Sequence, residues 1–300
     1  MAPEPVPGTE AKEKSFPTGQ VVPIVHCLNT VSETYALYLP AGYPGDRKWP
    51  VLLAMDPAGR ALVPANLFRR AAEEYGYILA SSYDTRSDGS REPNLRALKA
   101  MLPDLQKRFA VDSKRLYLAG FSGTARFAWD VGHLLPDQVA GLLGFGAGLP
   151  GEGSLPRGEP FVFFGGAGTT GFNYDEMQDL AATLQRRGFP HLIVSYEGGH
   201  AWPPEPICRA GLRWMELQAM RRGERAPDRT LIESAFRDRF SHAEALERQG
   251  HRLKANLAYQ SIARDFDLLL PVAEAARRAA ELESATDVRN ALSKRRDRAA

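Results

Sequence analysis

The sequence predicts an α/β fold, in which a mostly parallel β-sheet carries helices on both faces and a small all-α C-terminal segment follows. Continuous apolar runs, such as residues 49–55, alternate with segments of helical periodicity, such as residues 95–109. Such runs are typical of strands buried on both faces, and their alternation with helices indicates parallel βαβ units. After about residue 225 the strand pattern stops and only amphipathic helical segments follow.

Bulk composition is that of an ordinary soluble globular protein. The chain has 300 residues, of which 44% are hydrophobic and 25% are charged, so a well-buried core is expected. The formal net charge of +2 is too small to indicate nucleic acid or an anionic membrane surface as a partner. No apolar run is long enough to span a bilayer, so no membrane span is expected.

The N-terminal segment, residues 1–19, is expected to be a flexible tail. It contains prolines and charges but no apolar core of the kind that a signal peptide has. Two interpretations stay open: the tail of a cytoplasmic protein, or the start of a secreted or periplasmic domain whose leader was replaced by Met1. We prefer the secreted or periplasmic interpretation.

The two cysteines, Cys27 and Cys208, lack the spacing of metal ligands. Both a disulfide between them and two separate buried thiols stay open.

The order of the elements follows from the same patterns. Alternating segments at residues 21–26 and 35–40 predict two antiparallel strands. Pro103 lies inside a helical segment and predicts a kink or a break there. Further strands are expected at 49–55, 77–82, 115–120, 139–145, 160–164 and 192–196, and helices at 67–75, 95–109, 125–135, 177–187 and 207–220.

A change of character near residues 221–227 predicts a domain boundary at about residue 225. Residues 20–224 would form the α/β domain and residues 225–300 a helical domain. The helical domain could form a cap at the edge of a site, a homodimer contact or a surface for a partner. Its helices are expected at 230–249, 251–266, 272–282 and 286–296.

The most informative local pattern is a predicted strand that runs through Gly-Phe-Ser-Gly-Thr, with its serine at Ser122, into a helix. Strand, tight turn and helix form the context of a nucleophile elbow. Gly120 supplies the small residue that the turn needs, and Gly123 supplies a backbone N–H for an oxyanion hole. Thr124 departs from the pattern, which has glycine there. The alternative is an ordinary turn serine that caps a helix.

The loop after the last predicted strand of the sheet carries His200, in the sequence Glu-Gly-Gly-His-Ala-Trp-Pro. A histidine in this position, later in the chain than the serine, fits the general base of a hydrolase. The glycines allow the loop to approach the serine closely, and Trp202 is expected to form an apolar wall for substrate. The alternative for a single histidine is a structural hydrogen bond.

Together, the serine turn and the histidine loop resemble those of the α/β-hydrolases of the poly(3-hydroxybutyrate) depolymerase and feruloyl-esterase type. Those proteins pair a nucleophile elbow with a Gly-Gly-His-x-Trp-Pro loop. The resemblance spans roughly residues 20–220 and leaves out the C-terminal helices. It implies an α/β-hydrolase catalytic domain at residues 20–224, with Ser122 as nucleophile, His200 as base and a carboxylic ester as substrate.

The acid of the triad is the least well defined member. The resemblance implies an acid soon after the strand predicted at 160–164, yet the first carboxylates there are Asp175 and Glu176. We expect Asp175 to be the acid, with a helix N-terminal carboxylate as the alternative. If no acid is present, a Ser–His dyad would operate, or Asn173 would orient the histidine through its amide oxygen.

A second oxyanion donor is expected in the loop after the strand at 49–55, at Ala58 or Gly59. Arg60 would face the substrate or the surface. The five other histidines show no ligand spacing, and no phosphate loop, EF-hand or zinc pattern is found, so no cofactor is expected.

The leading hypothesis is therefore a serine hydrolase that cleaves a small-molecule or polymeric carboxylic ester through an acyl-enzyme. The alternative is a catalytically weak or inactive hydrolase fold that serves as a scaffold and binds a partner through its C-terminal helices. Amide hydrolysis by the same residues is a third hypothesis.

Overall fold

A computed structural model describes residues 16–87, 89–151, 155, 158 and 160–298. The strands of this part of the chain form one eight-stranded sheet. Its members are β1 (Val21–His26), β2 (Thr34–Tyr38), β3 (Trp49–Met55), β4 (Ile78–Ser82), β5 (Val111–Phe121), β6 (Val139–Phe145), β7 (Val162–Gly168) and β8 (His191–Tyr196).

The spatial order of the strands is β1-β2-β4-β3-β5-β6-β7-β8. Strand β2 is antiparallel to both of its neighbours, while all the pairs from β4 through β8 are parallel. The central register sets Leu53 opposite Leu118 and Leu118 opposite Leu142. The carboxyl ends of β3, β5, β6, β7 and β8 therefore share one edge, where open α/β sheets place their sites.

Helices cover both faces of the sheet, as the sequence predicts. One apolar cluster joins the sheet to the helices that follow β4, β5 and β7, and the other joins it to the helices that follow β3 and β8. The residues that these helices bury are mostly apolar and lie on the face toward the sheet, which accounts for the helical periodicity of the sequence. The bounds of these helices are α1 (Leu62–Tyr75), α2 (Glu92–Arg108), α3 (Gly123–Leu134), α4 (Tyr174–Arg186) and α5 (Glu205–Arg221).

The break predicted at Pro103 does not occur, because α2 continues through this proline to Arg108. A proline inside a helix removes one backbone hydrogen bond. Here Leu98, Met101 and Leu105 are buried against the sheet on either side of the proline. The packing of this apolar face against the sheet offsets the loss of the backbone hydrogen bond at Pro103.

The C-terminal segment consists of α6 (Arg229–Arg248), α7 (Arg252–Phe266), α8 (Ala273–Ser284) and α9 (Thr286–Arg298). The apolar cluster formed by α6, α7 and α8 also includes Leu217 and Met220 of α5. The buried carboxylate of Asp265 accepts hydrogen bonds from Trp214 of α5 at 2.8 Å and from Arg239 of α6 at 2.7 Å. These contacts hold the helices against the sheet-containing part of the chain.

The start of the described chain is more ordered than a flexible tail. Phe16 packs against Phe109 at 5.8 Å between ring centroids, and the N–H of Gly19 donates to the carbonyl of Leu39. Residues 1–15, the rest of the expected tail, lie outside the described residues.

Cys27 and Cys208 are both buried and are not bonded to each other. Among the described residues, none of the helices is both long enough and apolar enough to cross a bilayer.

Candidate active site

Ser122 lies on the turn between β5 and α3, at the carboxyl edge of the sheet. Its backbone has φ 54° and ψ −126°, and it is the one non-glycine residue with positive φ in the described part of the chain. Side chains rarely adopt such a conformation, because it brings Cβ close to the backbone. The turn is held by the N–H of Ser122, which donates to the carbonyl of Phe145 at 2.8 Å. This is the strained geometry expected of a nucleophile elbow.

The glycines beside the serine allow the chain to turn so tightly. A Cβ at Gly120 would lie 2.4 Å from the carbonyl oxygen of Thr124 and 2.6 Å from the backbone nitrogen of Ala125. A Cβ at Gly123 would lie 2.4 Å from the Cβ of Ser87, which comes from the loop after β4. No side chain fits at either position without a shift of the surrounding chain.

Thr124, which stands where the motif has glycine, has a place in the turn. Its buried hydroxyl accepts a hydrogen bond from the N–H of Phe121 at 3.0 Å and lies 2.6 Å from the carbonyl of Met55, to which it donates. The hydroxyl thereby joins the elbow to the end of β3. The departure from the motif adds a connection between two strands of the site.

Thr124→Val is expected to lower the free energy of unfolding by about 1–3 kcal/mol, since it leaves a buried donor and a buried acceptor unpaired. Urea denaturation measures the change. The exposed Thr230 of α6 offers a matched control, because Thr230→Val removes a hydroxyl with no buried partner. Equal stability of the two variants would contradict the role of the Thr124 hydroxyl.

His200 lies in the loop after β8, and its Nε2 is 3.0 Å from the Oγ of Ser122. The imidazole ring packs against two phenyl rings, that of Phe121 at 4.6 Å and that of Phe172 at 4.2 Å between centroids. Phe172 is nonetheless 80% exposed, so its other face is open to solvent. The chain thus brings serine and histidine into hydrogen-bond contact, as a nucleophile and its base require.

The surroundings of His200 favour its neutral form. Burial lowers the pKa of His200, and the positive charge of Arg126 lowers it further, while the carboxylate of Glu176 acts in the opposite direction. A neutral imidazole has a free lone pair to accept the serine proton. The electrostatics therefore suit a general base.

The structure does not bring Asp175 to His200. Asp175 lies in the first turn of α4 with an exposed side chain and, among the described residues, has no hydrogen bond to the histidine. Its position is that of a carboxylate at a helix N-terminus, where the macrodipole is favourable. The Nδ1 of His200 is buried and has no hydrogen-bond partner in the described part of the chain.

The neighbouring acid, Glu176, points into the molecule and accepts three hydrogen bonds. They come from Arg126 at 2.6 Å, from the backbone N–H of Gly148 at 2.9 Å and from the Nδ2 of Asn173. These donors lower the pKa of Glu176 against the opposing effect of burial. A carboxylate held in this way stays ionised and fixes the groups around it.

Only one of the two expected oxyanion donors is available. The N–H of Gly123 lies in the first turn of α3, where no intrahelical acceptor exists. The N–H of Ala58 instead donates to the Oδ1 of Asp56 at 2.8 Å, and that of Gly59 donates to the carbonyl of Asp56 at 3.1 Å. The expected donors after β3 are engaged because an aspartate stands directly before them.

Asp56 is the site residue whose role sequence reasoning missed. It is fully buried, and its carboxylate accepts from the Nε1 of Trp202 at 2.8 Å and from the Nε of Arg60 at 3.0 Å. Trp202 also packs against Phe121 and Phe145. Trp202 thus joins the histidine loop to the loop after β3, and Arg60 pairs with an aspartate. A polar residue directly after a buried strand was the signal that could have identified Asp56.

Comparisons with known proteins identify the fold. No family model and no curated protein sequence matches the chain. Among solved structures, it is similar to the substrate-bound, fluorophosphonate-binding serine hydrolase FphF of Staphylococcus aureus, with a TM-score of 0.52 and 12% identity over 66% of this chain and 99% of that one. It is also similar to a ferulic acid esterase, with a TM-score of 0.52 and 15% identity over 64% of this chain and 94% of that one.

A third similar structure is a mutant of the feruloyl esterase module from Clostridium thermocellum complexed with sinapinate. Its TM-score is 0.50 at 14% identity, over 65% of this chain and 87% of that one. Likeness at such low identity is evidence for the fold alone. The chain therefore has an α/β-hydrolase fold whose structural neighbours are serine hydrolases and esterases, as the sequence resemblance implies.

Proposed function

We propose that this chain is a serine hydrolase that cleaves carboxylic esters, with Ser122 as nucleophile and His200 as general base. The observation that carries the proposal is the 3.0 Å contact between the Nε2 of His200 and the Oγ of a serine held at positive φ. Strain at one residue, in contact with a base at the carboxyl edge of the sheet, is typical of a functional site.

In the first half-reaction, the Nε2 of His200 accepts the hydroxyl proton while the Oγ of Ser122 attacks the ester carbonyl carbon. The oxygen that becomes negative faces the N–H of Gly123 at the positive end of α3. His200 then donates its proton to the leaving alcohol, and an acyl-serine remains. Water then attacks the acyl-serine while His200 takes one of its protons. His200 returns this proton to the departing Oγ of Ser122, which releases the carboxylic acid and restores the free serine.

The face of the site that is open to a substrate is apolar. Phe172 presents an exposed ring beside His200, and the half-buried Trp202 packs against Phe121. Apolar burial against such rings is favourable, at about 25 cal/mol per Å². We infer that Phe172 contacts an apolar acyl or alcohol group of a small-molecule or polymeric ester.

The proposal is tested by hydrolysis of p-nitrophenyl acetate and p-nitrophenyl butyrate as a function of pH. Burial and Arg126 lower the pKa of His200 from its usual 6.5, so the base stays neutral to a lower pH. Protonation of His200 at low pH should abolish activity, so kcat/KM should rise as the pH increases. The midpoint of this rise should lie below pH 6.5. A midpoint above 6.5 would contradict this electrostatic environment.

One observation favours the inactive-scaffold alternative, namely that the N–H groups of Ala58 and Gly59 are engaged by Asp56. Loss of one oxyanion donor costs roughly 10²–10³ in kcat where it has been measured. A folded wild-type protein that hydrolyses neither ester would support this alternative. Turnover abolished by Ser122→Ala would exclude it.

A further inference from the structure

The hydrogen bond between serine and histidine fixes the protonation of the imidazole ring. For Nε2 to accept the hydroxyl proton of Ser122, the proton of neutral His200 must be on Nδ1. That Nδ1 is buried and has no hydrogen-bond partner within the described chain. The ring therefore presents a buried donor toward the interior of the site.

A buried acceptor without a partner lies in the residue before α4. Asn173 is buried, and its Nδ2 donates to the carboxylate of Glu176. Because an ionised carboxylate only accepts, this contact decides which end of the amide is nitrogen and which is oxygen. The Oδ1 of Asn173 consequently faces away from Glu176, and it has no partner among the described residues.

The donor and the acceptor line the same small cavity at the carboxyl edge of the sheet. Asn173 and His200 contribute to its wall together with Gly146, Gly168 and Gly199. The absence of a side chain at Gly146 leaves room beside the histidine, since a Cβ there would lie 3.1 Å from the Nδ1 of His200. Buried polar groups are seldom left unpaired. An unpaired donor and an unpaired acceptor in the wall of one cavity therefore suggest a hydrogen bond between them.

We propose that Asn173 takes the place of the triad acid and accepts the Nδ1–H of His200 through its Oδ1. Glu176, held by Arg126 and by the N–H of Gly148, keeps the Asn173 amide in this orientation. Asn173 is then a positioning residue, since it holds the tautomer and the angle of the ring that contacts the serine. This inference rests on the proposed function and specifies how its base is oriented.

A neutral amide has a different electrostatic effect from a carboxylate. It orients the ring, but it adds no negative charge to stabilise the imidazolium that forms during catalysis. The charged and titratable groups around the ring are Arg126 from α3, Glu176 and Tyr174 from α4, and Tyr196 from β8. A carboxylate at position 173 in hydrogen-bond contact with Nδ1 should therefore raise the pKa of His200 above its wild-type value. This effect should exceed the loss of the Glu176 charge in a Glu176→Gln background, because Glu176 makes no hydrogen bond to the ring.

The test compares wild type with Asn173→Ala and with the double variant Asn173→Asp/Glu176→Gln. In the double variant the hydrogen bond between the two positions is kept with reversed direction. The new amide nitrogen at position 176 donates to the new carboxylate at position 173, and the new amide oxygen at position 176 still accepts from Arg126 and Gly148. Asn66→Ala, at an exposed amide on α1, is the control.

Two readouts are needed, and one of them does not depend on activity. In protein labelled with nitrogen-15 histidine, NMR reports the tautomer and the pKa of His200. Wild type should carry its proton on Nδ1, Asn173→Ala should lose the slowly exchanging Nδ1 proton, and the double variant should titrate at least about one pH unit higher. The rate of phosphonylation of Ser122 by a fluorophosphonate should fall about tenfold or more in Asn173→Ala, short of the roughly 10⁴-fold loss caused by disabling a triad aspartate.

An unchanged Nδ1 proton, with an unchanged pKa in the double variant, would overturn the role of Asn173. That result is distinguishable from failure of the proposed function, in which wild type itself does not react with the fluorophosphonate while the NMR readout still reports the hydrogen bond. If Asn173→Ala does not fold, the pKa shift of the double variant decides the matter alone.

Discussion

Ser122→Ala is expected to lower ester hydrolysis by several orders of magnitude with the protein still folded. Loss of the nucleophilic serine costs about 10⁶-fold in kcat in a well-studied serine hydrolase, because no covalent intermediate can form. The fold should survive, because the turn is held by backbone contacts and by the Thr124 hydroxyl. Alanine keeps the Cβ that is crowded by the backbone at φ 54°, so the substitution should change the stability of the turn only slightly.

The measurement is the kcat/KM of both p-nitrophenyl esters, with circular dichroism and thermal unfolding as checks of the fold. Ser113→Ala is a matched control, because this exposed serine lies on the same strand, β5, far along the chain from the elbow. Ester turnover by Ser122→Ala at the rate of Ser113→Ala would eliminate Ser122 as the nucleophile.

Gly120→Ala is expected to damage stability and activity together. Its methyl group would lie 2.4 Å from the carbonyl oxygen of Thr124, which is backbone and has no rotamer to change. Overpacking of this kind costs about 3 kcal/mol at the upper end of its usual range. The elbow would have to open, which moves Ser122 away from His200, so kcat should fall with the free energy of unfolding.

Gly42→Ala is the control for the change of glycine to alanine itself. The Cβ at that position meets only the far edge of the Trp49 ring at 3.9 Å, an ordinary contact. Urea denaturation and ester hydrolysis of the two variants give the comparison. A Gly120→Ala protein as stable and active as Gly42→Ala would show that the elbow does not need glycine there.

The sheet and the elbow could be predicted because their signals are local. Strands buried on both faces read as apolar runs, and the helices between them have one apolar face. The elbow motif needs only a few consecutive residues, and the structure places Ser122 on the strained turn that the motif predicts. Topology brings His200 to the same edge of the sheet, because Ser122 follows β5 and His200 lies in the loop after the parallel strand β8.

The rest of the site could not be predicted, because it depends on which groups meet across the cavity. Asp175 was expected to be the acid from its distance along the chain, but a helix turns successive side chains in different directions. Asp175 is exposed, while Glu176 next to it faces Arg126 and Asn173. Only the three-dimensional arrangement shows which of them faces the interior.

The second oxyanion donor illustrates the same limit. Position along the chain indicates the loop after β3 for this donor, but the Asp56 side chain folds back on the N–H groups of that loop. Aspartate commonly bonds to the backbone two residues further on, which is a turn signal in its own right.

The most direct measurement is mass spectrometry of the intact and digested protein after reaction with a fluorophosphonate. We expect one phosphonyl group per chain, on the peptide that contains Ser122, with loss of ester hydrolysis in proportion to labelling. A fluorophosphonate reacts only with a serine made nucleophilic by a neighbouring base. A folded wild-type protein that acquires no adduct, or acquires it on another residue while Ser122 stays free, would contradict the proposed serine–histidine pair.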